Sequence, residues 1–123
     1  MASISLNVAA AGFAFVICAG GAVAQDASKG EAVYESRCNQ CHVLHGPGQG
    51  PSLVGVVGRK AASLPGYNYS DALKASGLVW TPANIDRFVQ SPTKLVPGTA
   101  MRAIVPTAAD RADLIAYLAT LKR

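Results

Sequence analysis

The sequence predicts an all-α fold of short helices and long loops gathered around one site. Thr107 to Lys122 carries Leu114, Ile115, Leu118 and Leu121 on one face at helical spacing, beside Tyr117. No stretch alternates apolar and polar residues over enough positions to build a sheet. Gly46 to Gly58 is rich in Gly and Pro without a helical period, which reads as loop.

Each helix has its own start and stop signals. Ala27 to Cys38 reads as a short helix capped by Asp26 or Ser28, with Ala32, Val33 and Tyr34 on its apolar side. Ser70 can cap a turn of helix through Ala75, which Gly77 ends. Thr81-Pro82 places a cap and a first-turn proline ahead of Ile85, Phe88 and Val89, and Ser91-Pro92 stops that helix. In the last helix, Asp110 and Asp113 near the start and Lys122 and Arg123 at the end suit the helix dipole.

The chain has 123 residues, 50% hydrophobic and 15% charged, which suits one domain with one apolar core. Met1 to Gln25 carries no charged side chain, runs apolar from Val8 to Ala24, and ends in Ala22-Val23-Ala24, a small-residue cleavage pattern. The expected organisation is a signal peptide over 1–24 and one domain over 25–123. No Lys or Arg precedes the apolar run, so an uncleaved membrane anchor is the alternative, although Gly12, Gly20 and Gly21 interrupt a run already short for the ~20 residues of a spanning helix. Cys18 would leave with the signal. The net charge of +4 is spread from Lys29 to Arg123 with no basic block, which argues against a nucleic-acid partner and leaves an acidic protein partner open.

The most informative run is Cys38-Asn39-Gln40-Cys41-His42, a C-x-x-C-H signature for covalent attachment of a c-type haem. Each thiol can form a thioether with a haem vinyl group, and His42 is placed to give an imidazole nitrogen to the iron. A zinc site would want a second pair of ligands, and only His45 follows, too close to act as an independent arm. A thioredoxin-like pair would end a strand, whereas this pair ends a helical stretch. A structural disulfide would leave His42 without a role.

From Gly30 to Leu118 the chain resembles the class I c-type cytochromes, small electron carriers with a single haem. The resemblance rests on the haem motif and then on Gly50-Pro51-Ser52-Leu53, Gly58-Arg59-Lys60-Ala61, Gly66-Tyr67-Asn68-Tyr69-Ser70, Trp80, Pro97-Gly98-Thr99-Ala100-Met101, and Arg111-Ala112-Asp113-Leu114-Ile115-Ala116-Tyr117-Leu118. It implies the cytochrome c fold around one covalently bound haem c, with Met101 as the second axial ligand on the face opposite His42. It also implies that the Pro51 carbonyl accepts a hydrogen bond from the other ring nitrogen of His42, and that Arg59, Tyr69 and Trp80 bind or screen the haem propionates. Gly30 and Tyr34 would meet Leu114 and Tyr117 where the first and last helices cross.

Several positions depart from the family pattern. Leu73 stands where Asn is frequent and Phe88 where Tyr is frequent, leaving Thr99 as the hydroxyl expected near the methionine. Ala103 replaces an aromatic residue, and Ala100 and Thr93 occupy positions often held by lysine, so the docking face is less basic than in mitochondrial members, with Lys94 and Arg102 the nearest charges. The loop between His42 and Pro51 is also shorter.

The resulting expectation is an exported, periplasmic, monomeric electron-transfer protein that is not an enzyme and exchanges one electron with donor and acceptor proteins, some of them membrane complexes. Contact with the membrane would be transient or through an uncleaved N-terminal segment. A haem subunit of a larger oxidoreductase, and a peroxidase or gas sensor in which Met101 dissociates, are the alternatives.

Overall fold

The structure is a computed structural model that describes residues 12–15 and 25–123. The proposed cleavage site and most of the segment before it lie outside the described residues. Among the described residues five helices follow in order: α1 (Ala27–Arg37), α2 (Asp71–Ala75), α3 (Pro82–Gln90), α4 (Pro92–Leu95) and α5 (Ala108–Thr120). The only β pairing among the described residues is one isolated antiparallel bridge, Lys60 to Val79.

Helix α1 starts where the Asp26 carboxylate accepts the N–H groups of Ser28 and Lys29, at 2.9 and 3.3 Å. Those donors would otherwise lack partners in a first helical turn. The helix buries Gly30 and Tyr34, four residues apart and so on one face, and leaves Ala32 exposed. The expected apolar side of three consecutive residues is thereby corrected, since consecutive positions point around a helix.

Helix α5 crosses α1 and also packs on α3. At the crossing a methyl group on Gly30 would collide with the Asp113 carbonyl and lie 2.8 Å from Tyr117 Cβ. Any side chain at position 30 would therefore push the two helices apart. Tyr34 and Tyr117 pack beside it with ring centroids 5.4 Å apart, and Leu114 closes the contact at 1% exposure. Burying each such side chain contributes about 1.5–3 kcal/mol. Asp113, expected to serve the helix dipole, is buried instead and accepts the Asp26 N–H at 2.8 Å, joining the start of α1 to α5.

Thr81 caps α3 through its hydroxyl, which accepts the Asn84 N–H at 3.2 Å. Ser91-Pro92 does end α3, but Pro92 also opens α4, which four residues are too few to announce by periodicity. Helix α5 ends at Thr120, so Lys122 and Arg123 follow the helix and do not occupy its last turn. Beyond it the Leu121 carbonyl accepts the Gly55 N–H at 2.6 Å, pinning the long loop to the end of α5. Segments 58–61 and 78–80 run alongside each other through the N–H of Gly58 to Trp80 O, Trp80 to Arg59 O and Ala61 to Leu78 O, each 2.8 Å. These links hold the loops as walls around an interior space.

Candidate haem-binding site

That space is a partly enclosed cavity. Its walls are mainly apolar: Leu53 and Val56 from the loop, Ile85, Phe88 and Val89 from α3, Leu114 and Leu118 from α5. The polar or ligating groups among them are Cys38, His42, Arg59, Tyr69, Trp80 and Met101, with Pro51 beside His42. Seven of the nine predicted site residues thus line one cavity. Cys41 lines an adjoining exposed crevice that shares Cys38, His42, Pro51 and Met101 with the cavity. Thr99 lines neither space; it is buried at 5% exposure, with its N–H on the Val96 carbonyl at 3.0 Å.

The geometry of His42 follows from short-range constraints. The motif leaves α1 through a tight turn in which the N–H groups of Cys41 and His42 both reach the Cys38 carbonyl, at 3.1 and 2.8 Å. The imidazole Nδ1 lies 2.8 Å from the Pro51 carbonyl oxygen. A carbonyl only accepts, so Nδ1 carries the proton and Nε2 keeps a lone pair. Burial depresses the His42 pKa, opposed by the bond to Pro51, which favours the neutral ring that a metal requires. Burial also pushes the Cys38 thiol up to about 11, with Arg37 lowering and Cys41 raising it, while Cys41 is exposed and its sulfur sits 3.3 Å from Gln49 Oε1.

Arg59 is half-buried and donates to the carbonyls of Val54 and Ser52, at 3.2 and 3.1 Å. Those bonds fix the loop and leave the guanidinium charge at the cavity wall. Burial depresses its pKa, partly offset by Tyr69 and reinforced by Arg123. The Tyr69 hydroxyl accepts the Leu64 N–H at 3.2 Å. Trp80 packs on Phe88, the ring centroids 4.9 Å apart.

Sequence reasoning missed four contributors. Gly50 packs against the His42 ring, Tyr67 donates to the Gln49 carbonyl at 2.6 Å and meets Tyr69 edge-on, and Arg37 lines the crevice beside Arg102. The fourth is the Tyr34 hydroxyl, which donates to the His42 carbonyl. Tyr67 could have been found from its place two residues before Tyr69, but nothing local marks the other three.

An apolar cavity bordered by a thiol pair, an imidazole with a free nitrogen and a thioether fits a covalently held haem, and no cluster of three His, Cys, Asp or Glu that could hold a bare metal ion occurs among the described residues. Fold and site together define a small c-type haem protein. The Cytochrome c family model matches residues 27–122. Cytochrome c2 of Rhodomicrobium vannielii is 44% identical over 120 residues, covering 94% of this chain and 95% of that one. Cytochrome c2 of Rhodopila globiformis is 45% identical over 106 residues, covering 84% and 100%. Cytochrome cH from Methylobacterium extorquens is similar in structure, with a TM-score of 0.73 and 43% identity over 77% of this chain and 98% of that one. The chain belongs to the cytochrome c family as a class I c-type cytochrome, a monohaem electron-transfer protein with one covalently attached haem c.

Proposed function

We propose that this cytochrome is an exported, periplasmic one-electron shuttle whose iron is held by His42 and Met101, with Cys38 and Cys41 as the thioether anchors. The observation that carries the ligand assignment is that His42 and Met101 line the same apolar cavity while the Pro51 carbonyl orients the His42 ring. The haem supplies a one-electron ferric/ferrous couple. Around it, Leu53, Val56, Ile85, Phe88, Leu114 and Leu118 exclude water, which opposes the added charge of ferric iron, and the soft Met101 sulfur favours the ferrous state. Arg59, with Tyr69 and Trp80 beside it, compensates the propionates, since an anion buried without a partner is costly. Thr99 is assigned to support of the methionine segment.

With His42 and Met101 both holding the iron, no coordination position would be left for a substrate, so the reading is of a carrier and not an enzyme. The crevice exposing Cys41 beside Met101 and Arg102 is the edge presented to donor and acceptor proteins. Export rests on the charge-free segment ending in Ala22-Val23-Ala24, with Gln25 as the mature N-terminus, and the mature protein works as a monomer that meets the membrane only transiently. No helix among the described residues is long and apolar enough to cross a membrane.

The ferric absorption spectrum tests the ligand assignment. A low-spin spectrum with a sulfur-to-iron charge-transfer band is expected, with loss of the band and gain of carbon monoxide binding in Met101→Ala. A band that survives the substitution refutes Met101. An intact N-terminus at Met1 in exported protein refutes the shuttle's release from its signal.

A further inference from the structure

Tyr34 touches both ends of the haem-attachment segment. Its carbonyl accepts the N–H of Cys38 at 2.8 Å and of Asn39 at 2.9 Å, where the segment begins. Its hydroxyl donates to the carbonyl of His42, where the segment ends. The side chain between these contacts is wholly buried against Tyr117 and has no freedom to follow a moving loop. A second acceptor, Asn39 Oδ1, lies 3.3 Å from the hydroxyl and is turned toward it because the Asn39 amide nitrogen donates to Glu35 at 3.0 Å.

We infer that Tyr34 is a positioning residue that staples the Cys38–His42 segment at both ends, fixing the main chain of His42 from the α1/α5 crossing while Pro51 fixes its ring. The inference rests on the reading of His42 as an iron ligand. The main-chain half of the staple would exist with any residue at position 34, because it is part of the helix end. The hydroxyl half is particular to tyrosine.

Removing the hydroxyl leaves the His42 carbonyl without its donor while preserving the ring in the helix crossing. Tyr34→Phe in the haem-loaded protein is therefore the test, read by amide hydrogen exchange and by the hyperfine-shifted His42 ring resonances of the ferric form. The amide of His42, bonded to the Cys38 carbonyl, and that of Gly50, bonded to the Cys41 carbonyl, should exchange about tenfold faster, equivalent to ~1.4 kcal/mol. Amides in the middle of α5 should change much less, and the His42 resonances should move. Equal acceleration at all sites would reduce the hydroxyl to general stability, and unchanged exchange with unmoved resonances would remove it altogether; either overturns the inference. Tyr34→Leu, which also removes the ring, should accelerate the α5 amides as well, and α5 protection left intact there would contradict the rigid anchoring. A wild-type ferric spectrum without histidine-ligated low-spin iron would instead refute the ligand assignment on which the inference stands.

Discussion

Gly50 packs against the imidazole of His42: a methyl group added to it would sit 2.6 Å from Cε1 and 2.7 Å from Nδ1. The ring cannot swing away without breaking its bond to the next residue's carbonyl, that of Pro51. Gly50 is thus part of the wall that fixes ring orientation, and the glycine is there for its missing side chain. Gly50→Ala should lower stability by about 1–3 kcal/mol, the usual cost of forcing extra volume into a filled space, and shift the reduction potential. Denaturant unfolding and voltammetry check this; an alanine variant identical to the parent in both would show that the ring has room.

Arg111 is a buried cation with three acceptors. It donates through Nε to Asp86 at 2.8 Å and through Nη1 to the carbonyls of Val105 and Pro106, at 3.1 and 2.7 Å. It therefore ties α3, α5 and the segment following Met101 together. Asp86 is 41% exposed, so solvent can take over its charge when the partner is lost. Arg111→Ala should cost about 2–4 kcal/mol because the two carbonyls lose their charged donor, whereas Asp86→Asn should cost about 1 kcal/mol or less. Equal effects in chemical denaturation would mean that the ion pair, not the carbonyl clamp, is what matters.

Ala62 has φ = 56°, in the left-handed region, next to the bridged segment at Lys60. A Cβ in that conformation costs roughly 1 kcal/mol, which glycine avoids while giving back part in unfolded-chain entropy. Ala62→Gly is expected to stabilise the protein by about 0.5–1 kcal/mol, seen as a higher denaturation midpoint at unchanged slope. A lower midpoint would place the residue outside the left-handed region in solution.

The crevice carries Arg37 and Arg102, with the neutral residues Gln49, Ala100 and Ala103 around it. Two cations make a weaker field than a lysine ring, and exposed charges are screened beyond about 8 Å at physiological ionic strength. Electron transfer to the natural partner should depend weakly on salt, and Arg102→Ala or Arg37→Ala should each slow it by no more than about tenfold. Stopped-flow rates across ionic strength decide this. A fall of several orders of magnitude would point to a strongly acidic partner.

The helices were legible where apolar spacing and caps agreed, as in α3 with Thr81-Pro82 ahead of Ile85, Phe88 and Val89. Helix α4 was not, because four residues give no period. Cys38 and His42 could be named from the C-x-x-C-H motif and Met101 from the resemblance, and all three line the cavity, while Cys41 opens on the adjoining crevice. Arg111 and Asp113 were visible as letters, yet their burial was not: charged residues ordinarily face solvent, and only the fold supplies the Asp26 N–H and the carbonyls of Val105 and Pro106 that satisfy them. Tyr34 was read as packing, and its hydroxyl bond spans a turn whose shape no local pattern reveals.

The cavity walls come from opposite ends of the described domain. One anchoring thiol, on Cys38, sits near the start of the described domain, while Leu114 and Leu118, which close the same space, belong to the final helix. The anchors therefore lie far ahead of this wall in the chain, so a chain without α5 keeps its attachment residues while one side of the cavity stays open. A stop codon ahead of Leu114 would spare every attachment atom and still yield a protein that cannot shelter what it has captured.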